Sequence, residues 1–212
     1  MLLLGAVHAR AASVVTDNVV SQAKQMQTDV PVTFGQVFKD ADVPRGATLT
    51  ATLSGQPVTL QVDAKATNPD GSLRHAVLTA MVPALPGNAT LPLTLSTEPA
   101  RMATGQTSPV SLSQLLATNY DAKVSINIGG KSYTADARSL LQTASSARAC
   151  KPWDRQCNLW LSGPLTSEWV VNGPVRAPDG TTNPNLRIYF AVRAYSDGSS
   201  SSIRHVRTDV IV

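Results

Sequence analysis

The sequence predicts an all-β protein: an antiparallel barrel or β-sandwich with a β-rich second half and one or two short helices. Charged residues make up 15% and aromatic residues 5% of the 212 residues. The chain is rich in Thr, Ser, Val, Ala, Gly and Pro, a composition that suits short strands joined by turns. In several segments apolar side chains recur at every second position, which is typical of half-buried strands.

The charge pattern indicates an ordinary solvated surface. The formal net charge is +4, which by itself would favour a polyanionic partner. The basic residues, however, form no run and are interspersed with acidic ones. We therefore expect no nucleic-acid partner.

Residues 1–28 are expected to form an N-terminal arm or linker. The first twelve, MLLLGAVHARAA, have no basic start, and their apolar run is short beside the ~7–15 residues of a complete secretory signal. They are either the end of a longer signal, with 9–11 as a small-x-small cleavage site, or an apolar arm that docks on a neighbouring subunit. Residues 13–26 have weak helical character, which the consecutive valines Val14-Val15 and Val19-Val20 reduce further. No other segment approaches the ~18–20 apolar residues of a membrane span, so no membrane span is predicted.

Residues 29–98 are predicted to form the first β domain. Val30, Val32 and Phe34 alternate with a proline, a threonine and a glycine, as in a half-buried strand. The run NPDGS at residues 68–72 favours a tight turn, so the chain is expected to reverse direction there. The further strands of this domain are expected at residues 47–53, 58–64, 73–82 and 90–95.

Residues 99–212 are predicted to form a second β-rich domain. Short helices are expected near 111–116 and 137–143, on either side of a hairpin that turns at Gly129-Gly130. Because the last strand pattern runs to Val212 without a turn, we expect the polypeptide to continue beyond that residue. The other strands are expected at residues 123–128, 131–135, 159–161, 167–171, 186–195 and 203–212.

The two cysteines, Cys150 and Cys157, are candidates for a disulfide. Six residues including a proline separate them, and a disulfide that closes so short a loop stabilises it by about 2–3 kcal/mol. Two free thiols are the alternative. A metal site would need further ligands, and His8, His75 and His205 lie far away with no paired spacing. We therefore predict no metal and no cofactor.

Three tryptophans, Trp153, Trp160 and Trp169, fall within seventeen residues. Aromatic rings near a loop can form a platform on which the CH faces of sugars pack. Trp160 and Trp169 lie in strand patterns, which favours positions in the core. Trp153 lies in the cysteine loop and is the candidate for an exposed glycan contact.

Three segments carry a resemblance to a known family: residues 29–38 (DVPVTFGQVF), 60–63 (LQVD) and 68–78 (NPDGSLRHAVL). Together they resemble the N-terminal RIFT-barrel domain of the exo-rhamnogalacturonan-lyase-like family, and they also resemble modules in tail proteins of bacteriophages and prophages. The resemblance covers residues 29–95 and, more loosely, 110–212, and it implies a RIFT-type barrel followed by a second β-sandwich. Catalysis in that family belongs to a later helical-barrel domain, to which nothing here is similar. The resemblance therefore implies no catalytic residue.

A polar cluster within those segments is predicted to be structural. Gln61 and Asp63 share one face of a strand, and the turn that follows brings Arg74 and His75 back beside them. Asp63 and Arg74 would then pair across the ladder. We interpret the four residues as a polar rib that braces the barrel; the alternative is a sugar-facing cluster.

No motif in the sequence predicts an enzyme. The run 128–132 (IGGKS) is similar to the end of a phosphate-binding loop, but Ser125 stands where that motif needs a glycine. Alternation continues through Tyr133, which favours a hairpin instead. No G-x-S-x-G nucleophile elbow occurs. We therefore predict a non-catalytic protein.

The sequence predicts a structural module of a bacteriophage tail appendage, such as a fibre or spike. In that role the chain would form a homo-oligomer, contact other virion or tail subunits and position a receptor-binding part that lies beyond it. The expected location is the virion, outside the cell. One alternative is an accessory β domain of a secreted or periplasmic polysaccharide lyase-like enzyme. Another is a carbohydrate-binding module that contacts a surface glycan.

Overall fold

The computed structural model describes residues 12–99, 108–146, 150–155, 157–198 and 202–212. In these residues strands prevail beside two short helices, which confirms the predicted all-β class. Within the same ranges no sheet closes into a barrel, so the architecture is sandwich-like. The chain divides into two compact units, Met1–Gln106 and Thr107–Val212, where the sequence predicts a division after residue 98.

In its described residues the first unit consists of antiparallel strands in two sheets. The strands are β1 (Ala12–Val20), β2 (Gln27–Val37), β3 (Thr48–Leu53), β4 (Gln56–Val58), β5 (Leu60–Thr67), β6 (Leu73–Leu85) and β7 (Thr90–Glu98). One sheet has the order β1-β7-β3-β4, and the other has the order β2-β6-β5.

Alternate side chains of these strands build the core of the first unit. β6 lies in the centre of its sheet, and its alternate side chains from Ala76 to Val82 are fully buried. Leu93 and Leu95 of β7, in the other sheet, belong to the same apolar cluster. Burial of apolar area at about 25 cal/mol per Å² is what stabilises such a sandwich.

The segment predicted to be an arm or linker contains a strand. β1 pairs antiparallel with β7, from Ala12 opposite Thr97 to Val20 opposite Thr90. The paired valines that weaken the helical pattern favour extended backbone, because β-branched side chains pack well on a pleated sheet. The linker prediction is therefore wrong for residues 12–20. The predicted docking arm or cleavage site in residues 1–11 lies outside the described residues.

In its described residues the second unit combines helices with one larger sheet. The elements are α1 (Leu112–Leu116), β8 (Lys123–Ile128), β9 (Lys131–Asp136), α2 (Ala137–Ser146), β10 (Cys150–Lys151), β11 (Cys157–Ser162), β12 (Thr166–Arg176), β13 (Thr182–Tyr195) and β14 (His205–Ile211). Strands β10 to β14 follow one another across the sheet, and β9 pairs with both β8 and β12. β8 and β9 form the predicted hairpin, whose Gly129 and Gly130 have φ values of 57° and 79°. Glycine adopts this left-handed conformation without steric cost.

One face of this sheet packs against the helices. Trp169 and Phe190 of the strands share a buried cluster with Leu115 of α1 and Leu141 of α2. Because side chains alternate along a strand, the neighbouring residues point to the opposite side. We call that side the outer face; it carries Glu168, Val170 and Asn172 of β12 and Arg187, Tyr189, Ala191 and Arg193 of β13.

A buried ion pair joins β12 and β13 on the outer face. Glu168 stands opposite Arg193 in the strand register. Arg193 Nε donates to Glu168 Oε2 at 2.5 Å, with 16% of the Arg193 and 6% of the Glu168 side chain exposed. Burial by itself lowers the pKa of Arg193, but its hydrogen bonds to Glu168 and Tyr195 outweigh burial and raise the pKa overall. The charged guanidinium therefore helps to fix the register of the two strands.

Candidate functional site

The described residues from β10 to the start of β11, 150–155 and 157, form the candidate site, and we call them the disulfide loop. Cys150 and Cys157 are joined in a disulfide, with Cα atoms 4.5 Å apart. They stand opposite each other where β10 and β11 pair in parallel. Cys157 is fully buried in the core of the second unit, whereas residues 151–153 are exposed. One end of the disulfide loop is thereby anchored in the core.

Side chains of the sheet hold the disulfide loop in place. The backbone N–H of Trp153 donates to Asn158 Oδ1 at 3.0 Å. Asn172 Nδ2 donates to the carbonyl oxygen of Arg155 at 2.8 Å. Arg187 Nη1 in turn donates to Asn172 Oδ1 at 2.5 Å. These bonds tie the loop to β11 and β12, and through Arg187 to β13.

Trp153 is the exposed aromatic side chain of the disulfide loop. It is 66% exposed, and its φ of 63° lies in the left-handed region, which is rare for a bulky residue and recurs at functional sites. Its ring centroid lies 5.3 Å from that of Trp160, with the ring planes at 86°. This edge-to-face contact is a favourable aromatic geometry. Trp160 therefore supports the Trp153 ring at the surface.

The other two tryptophans lie in different surroundings. Trp169 is buried in the core, as the alternation predicts. The same prediction is wrong for Trp160, which is partly buried and contacts Trp153. The cause is a β-bulge, since the register between β11 and β12 shifts between Leu159 and Leu161. A bulged residue does not follow the two-residue alternation of its strand.

Polar and aromatic groups of the outer face adjoin the disulfide loop. Tyr189 is exposed and stands opposite Asn172 across the β12–β13 ladder. Arg187 lies two residues before Tyr189 on the same face and binds the Asn172 amide. The surface thus combines exposed rings with amide and guanidinium donors. Such groups suit a hydroxylated ligand, because rings pack on sugar CH faces and donors bind hydroxyl oxygens.

The structure brings together part of the predicted polar rib. Gln61 Nε2 donates to Asp63 Oδ2 at 2.7 Å, so these two side chains meet on β5. Val77, and not Arg74, stands opposite Asp63. The predicted pairing of Asp63 with Arg74 across the ladder is therefore wrong. The register of β5 against β6 shifts twice on the way to the turn, and such irregularities displace the residues beyond them.

A row of polar side chains that the sequence analysis missed crosses the same sheet. Thr79 on β6 stands opposite both Thr33 on β2 and Gln61 on β5. The hydroxyls of Thr33 and Thr79 are 2.9 Å apart, and Thr79 and Gln61 are buried. His75 Nε2 lies on this face, 3.4 Å from the position that a Cβ on Gly35 would take. The available signal was a polar residue, Thr33, Gln61 or Thr79, between apolar residues in each of the three strands.

The remaining candidates from the sequence are the run similar to a phosphate-binding loop, metal ligands and membrane spans. The run 128–132, similar to a phosphate-binding loop, forms the turn between β8 and β9. Across the ranges that the structure describes, no group of three or more His, Cys, Asp or Glu side chains is placed to hold a metal ion. No helix in that part of the chain is long and apolar enough to cross a membrane.

No protein-family model and no curated protein matches the chain. The resemblance of residues 29–38, 60–63 and 68–78 to the exo-rhamnogalacturonan-lyase-like family therefore stays a prediction.

Proposed function

We propose that the chain is a non-catalytic structural module of an extracellular assembly, such as a bacteriophage tail fibre or spike, in which it positions a receptor-binding part. The observation that carries the proposal is the disulfide between Cys150 and Cys157. Disulfides persist in secreted proteins and on virion surfaces and are rare in the cytosol. A loop that is closed in this way and tied to the sheet suits a protein that keeps its shape outside the cell.

The packing of both units supports a scaffold role. In the first unit, the hydrogen bond between Thr33 and Thr79 links two strands of one sheet. In the second unit, the buried pair of Glu168 and Arg193 links β12 to β13. Polar contacts at defined positions favour one strand register, because a one-residue slip would move them to the other face. A fixed register gives the rigidity that a positioning module needs.

The location of the protein tests this proposal. Antibodies against the chain are expected to label the tails of phage particles purified from the source culture on a density gradient, viewed by electron microscopy. Antibody adsorbed beforehand with the purified chain is the control and should give no label. Label in the secreted fraction, together with polysaccharide-degrading activity, would contradict the virion location and favour the accessory enzyme domain.

A second candidate function, glycan binding, is favoured by the exposed ring of Trp153 beside Trp160. Tyr189 adds a further exposed ring, and Asn172 and Arg187 add hydrogen-bond donors on the outer face. Hydrogen bonds to Asn158 and Asn172 hold the backbone of the disulfide loop in place without a ligand. Preorganisation of this kind reduces the entropy lost on binding.

Trp153→Ala is expected to weaken glycan binding by at least ~10-fold, because the ring supplies the stacking surface. Glycan arrays identify ligands for the unchanged chain, and calorimetric titration then measures both affinities. Met26→Ala, which removes an exposed apolar side chain of the first unit, is the control and should bind normally. If the unchanged chain binds no glycan, this candidate is rejected and the structural role stands alone.

A further inference from the structure

β14 forms an edge of the sheet in the second unit. It pairs along one side with β13, from His205 opposite Tyr195 to Ile211 opposite Tyr189. Within the ranges that the structure describes, no strand pairs with its other side. An edge strand presents a row of unpaired N–H and C=O groups to which a further strand can bind. The second side of β14 is therefore a site for strand addition.

The sequence of β14 indicates which strand fits there. Residues 206–210 are Val-Arg-Thr-Asp-Val, with Thr208 at the centre. When two such strands pair antiparallel with Thr208 opposite Thr208, Arg207 of each lies opposite Asp209 of the other. Each terminal valine of the segment then lies opposite a valine. The segment is thus complementary to a second copy of itself in both charge and apolar pattern.

The charges that this pairing needs are accessible. The side chain of Arg207 is 63% exposed and that of Asp209 is 46% exposed, and within one chain they form an ion pair at 3.0 Å. On the β13 side, Arg207 stands opposite Arg193, whose charge Glu168 already balances. Asp209 of a second copy would place a second carboxylate beside Arg207.

Apolar side chains at the same edge also favour a second copy. Val210 and Ile211 are large apolar residues with exposed side chains, and covering them removes apolar area from water. In the pairing about Thr208, Val210 meets Val206 of the second copy, and Ile211 meets His205. Because the arrangement has a two-fold axis, both ends of the edge are covered in the same way.

We infer that β14 is a homodimerisation edge, at which two copies of the chain pair antiparallel about Thr208 and join their sheets into one. The contact uses the β14 side of the sheet, whereas the disulfide loop lies at the β10–β11 side. The inference goes beyond the proposed function, because the tail-appendage role implies only that copies assemble, whereas the inference assigns the strand and the register at which two copies meet.

Charge exchange at two positions tests the pairing in the full chain. In a dimer of R207D, two carboxylates face each other at both 207–209 contacts, and in a dimer of D209R two guanidinium groups do so. Each variant is therefore expected to dimerise at least ~10-fold more weakly than the unchanged chain. An equimolar mixture of the two variants restores opposite charges across the axis. The double variant R207D/D209R restores them within one kind of chain. Both should recover the dimer, measured by sedimentation velocity over a range of concentrations.

Three results would overturn the inference: an unchanged chain that is monomeric at every concentration, single variants that dimerise normally, or a mixture that stays monomeric. Thr208→Cys gives an independent measurement should a charge variant unfold. Because Thr208 meets its counterpart at the axis, oxidation of this variant is expected to give a covalent dimer. The control Thr182→Cys should give none. If Thr208→Cys gave no covalent dimer either, the inference would also be overturned. A monomer that still labels phage tails leaves the proposed function standing.

Discussion

Arg193→Ala is expected to destabilise the second unit by about 3–5 kcal/mol, the usual cost of leaving one partner of a buried ion pair without the other. In this variant the Glu168 carboxylate, of whose side chain 6% is exposed, loses its hydrogen-bonded partner. Urea unfolding followed by tryptophan fluorescence measures the effect, because all three tryptophans lie in the second unit.

Replacing both members of the ion pair is the matched control. Glu168→Leu combined with Arg193→Met removes both charges and keeps similar volumes, and such exchanges are often neutral or stabilising. The double variant is therefore expected to unfold near the urea concentration of the unchanged chain. A single variant that loses less than about 1 kcal/mol, the range of an exposed pair, would show that the ion pair is not effectively buried.

Gly87→Ala is expected to destabilise the first unit by about 3 kcal/mol, the upper part of the usual range for overpacking. A Cβ on Gly87 would lie 2.5 Å from the carbonyl carbon and oxygen of Lys24 and 2.8 Å from the nitrogen of Gln25. All of these are backbone atoms, which cannot move aside as the end of a side chain can. The turn between β6 and β7 would have to separate from the chain before β2.

The measurement for Gly87→Ala needs a probe of the first unit. All three tryptophans and all four tyrosines lie in the second unit, so hydrogen exchange with mass spectrometry on peptides of β6 and β7 is suitable. Gly35→Ala is the control, because its Cβ would meet His75 Nε2 at 3.4 Å, close to ordinary contact. Equal exchange in the two variants would contradict the close approach at Gly87.

The sequence predicts the strands whose side chains alternate regularly. Val30, Val32 and Phe34 identify β2, and the two glycines at 129 and 130 identify the hairpin of β8 and β9. β1 was missed because Asp17 and Asn18 interrupt its apolar pattern and its register shifts near the start. Where a bulge or a polar pair breaks the two-residue period, the pattern no longer distinguishes a strand from a linker.

The candidate site was predictable only in part. The spacing of Cys150 and Cys157 suggests a closed loop, and Trp153 lies within it. The tethers from Asn158 and Asn172 depend on how β11 and β12 align, which a single sequence does not reveal. The pairing of Asp63 with Arg74 was predicted incorrectly for the same reason. The register of β5 against β6 is shifted by bulges, which the alternation of apolar residues does not reveal.

The pairing of β1 with β7 sets a condition on how the protein is made. Val20 of β1 pairs with Thr90 of β7, and Ala12 pairs with Thr97. A ribosome that adds roughly 5–20 residues per second needs on the order of ten seconds to pass from one strand to the other. Throughout that time β1 lacks its partner strand β7, so the valines of β1 are exposed and can be bound by chaperones. The first unit therefore completes its fold only after its last strand has left the exit tunnel.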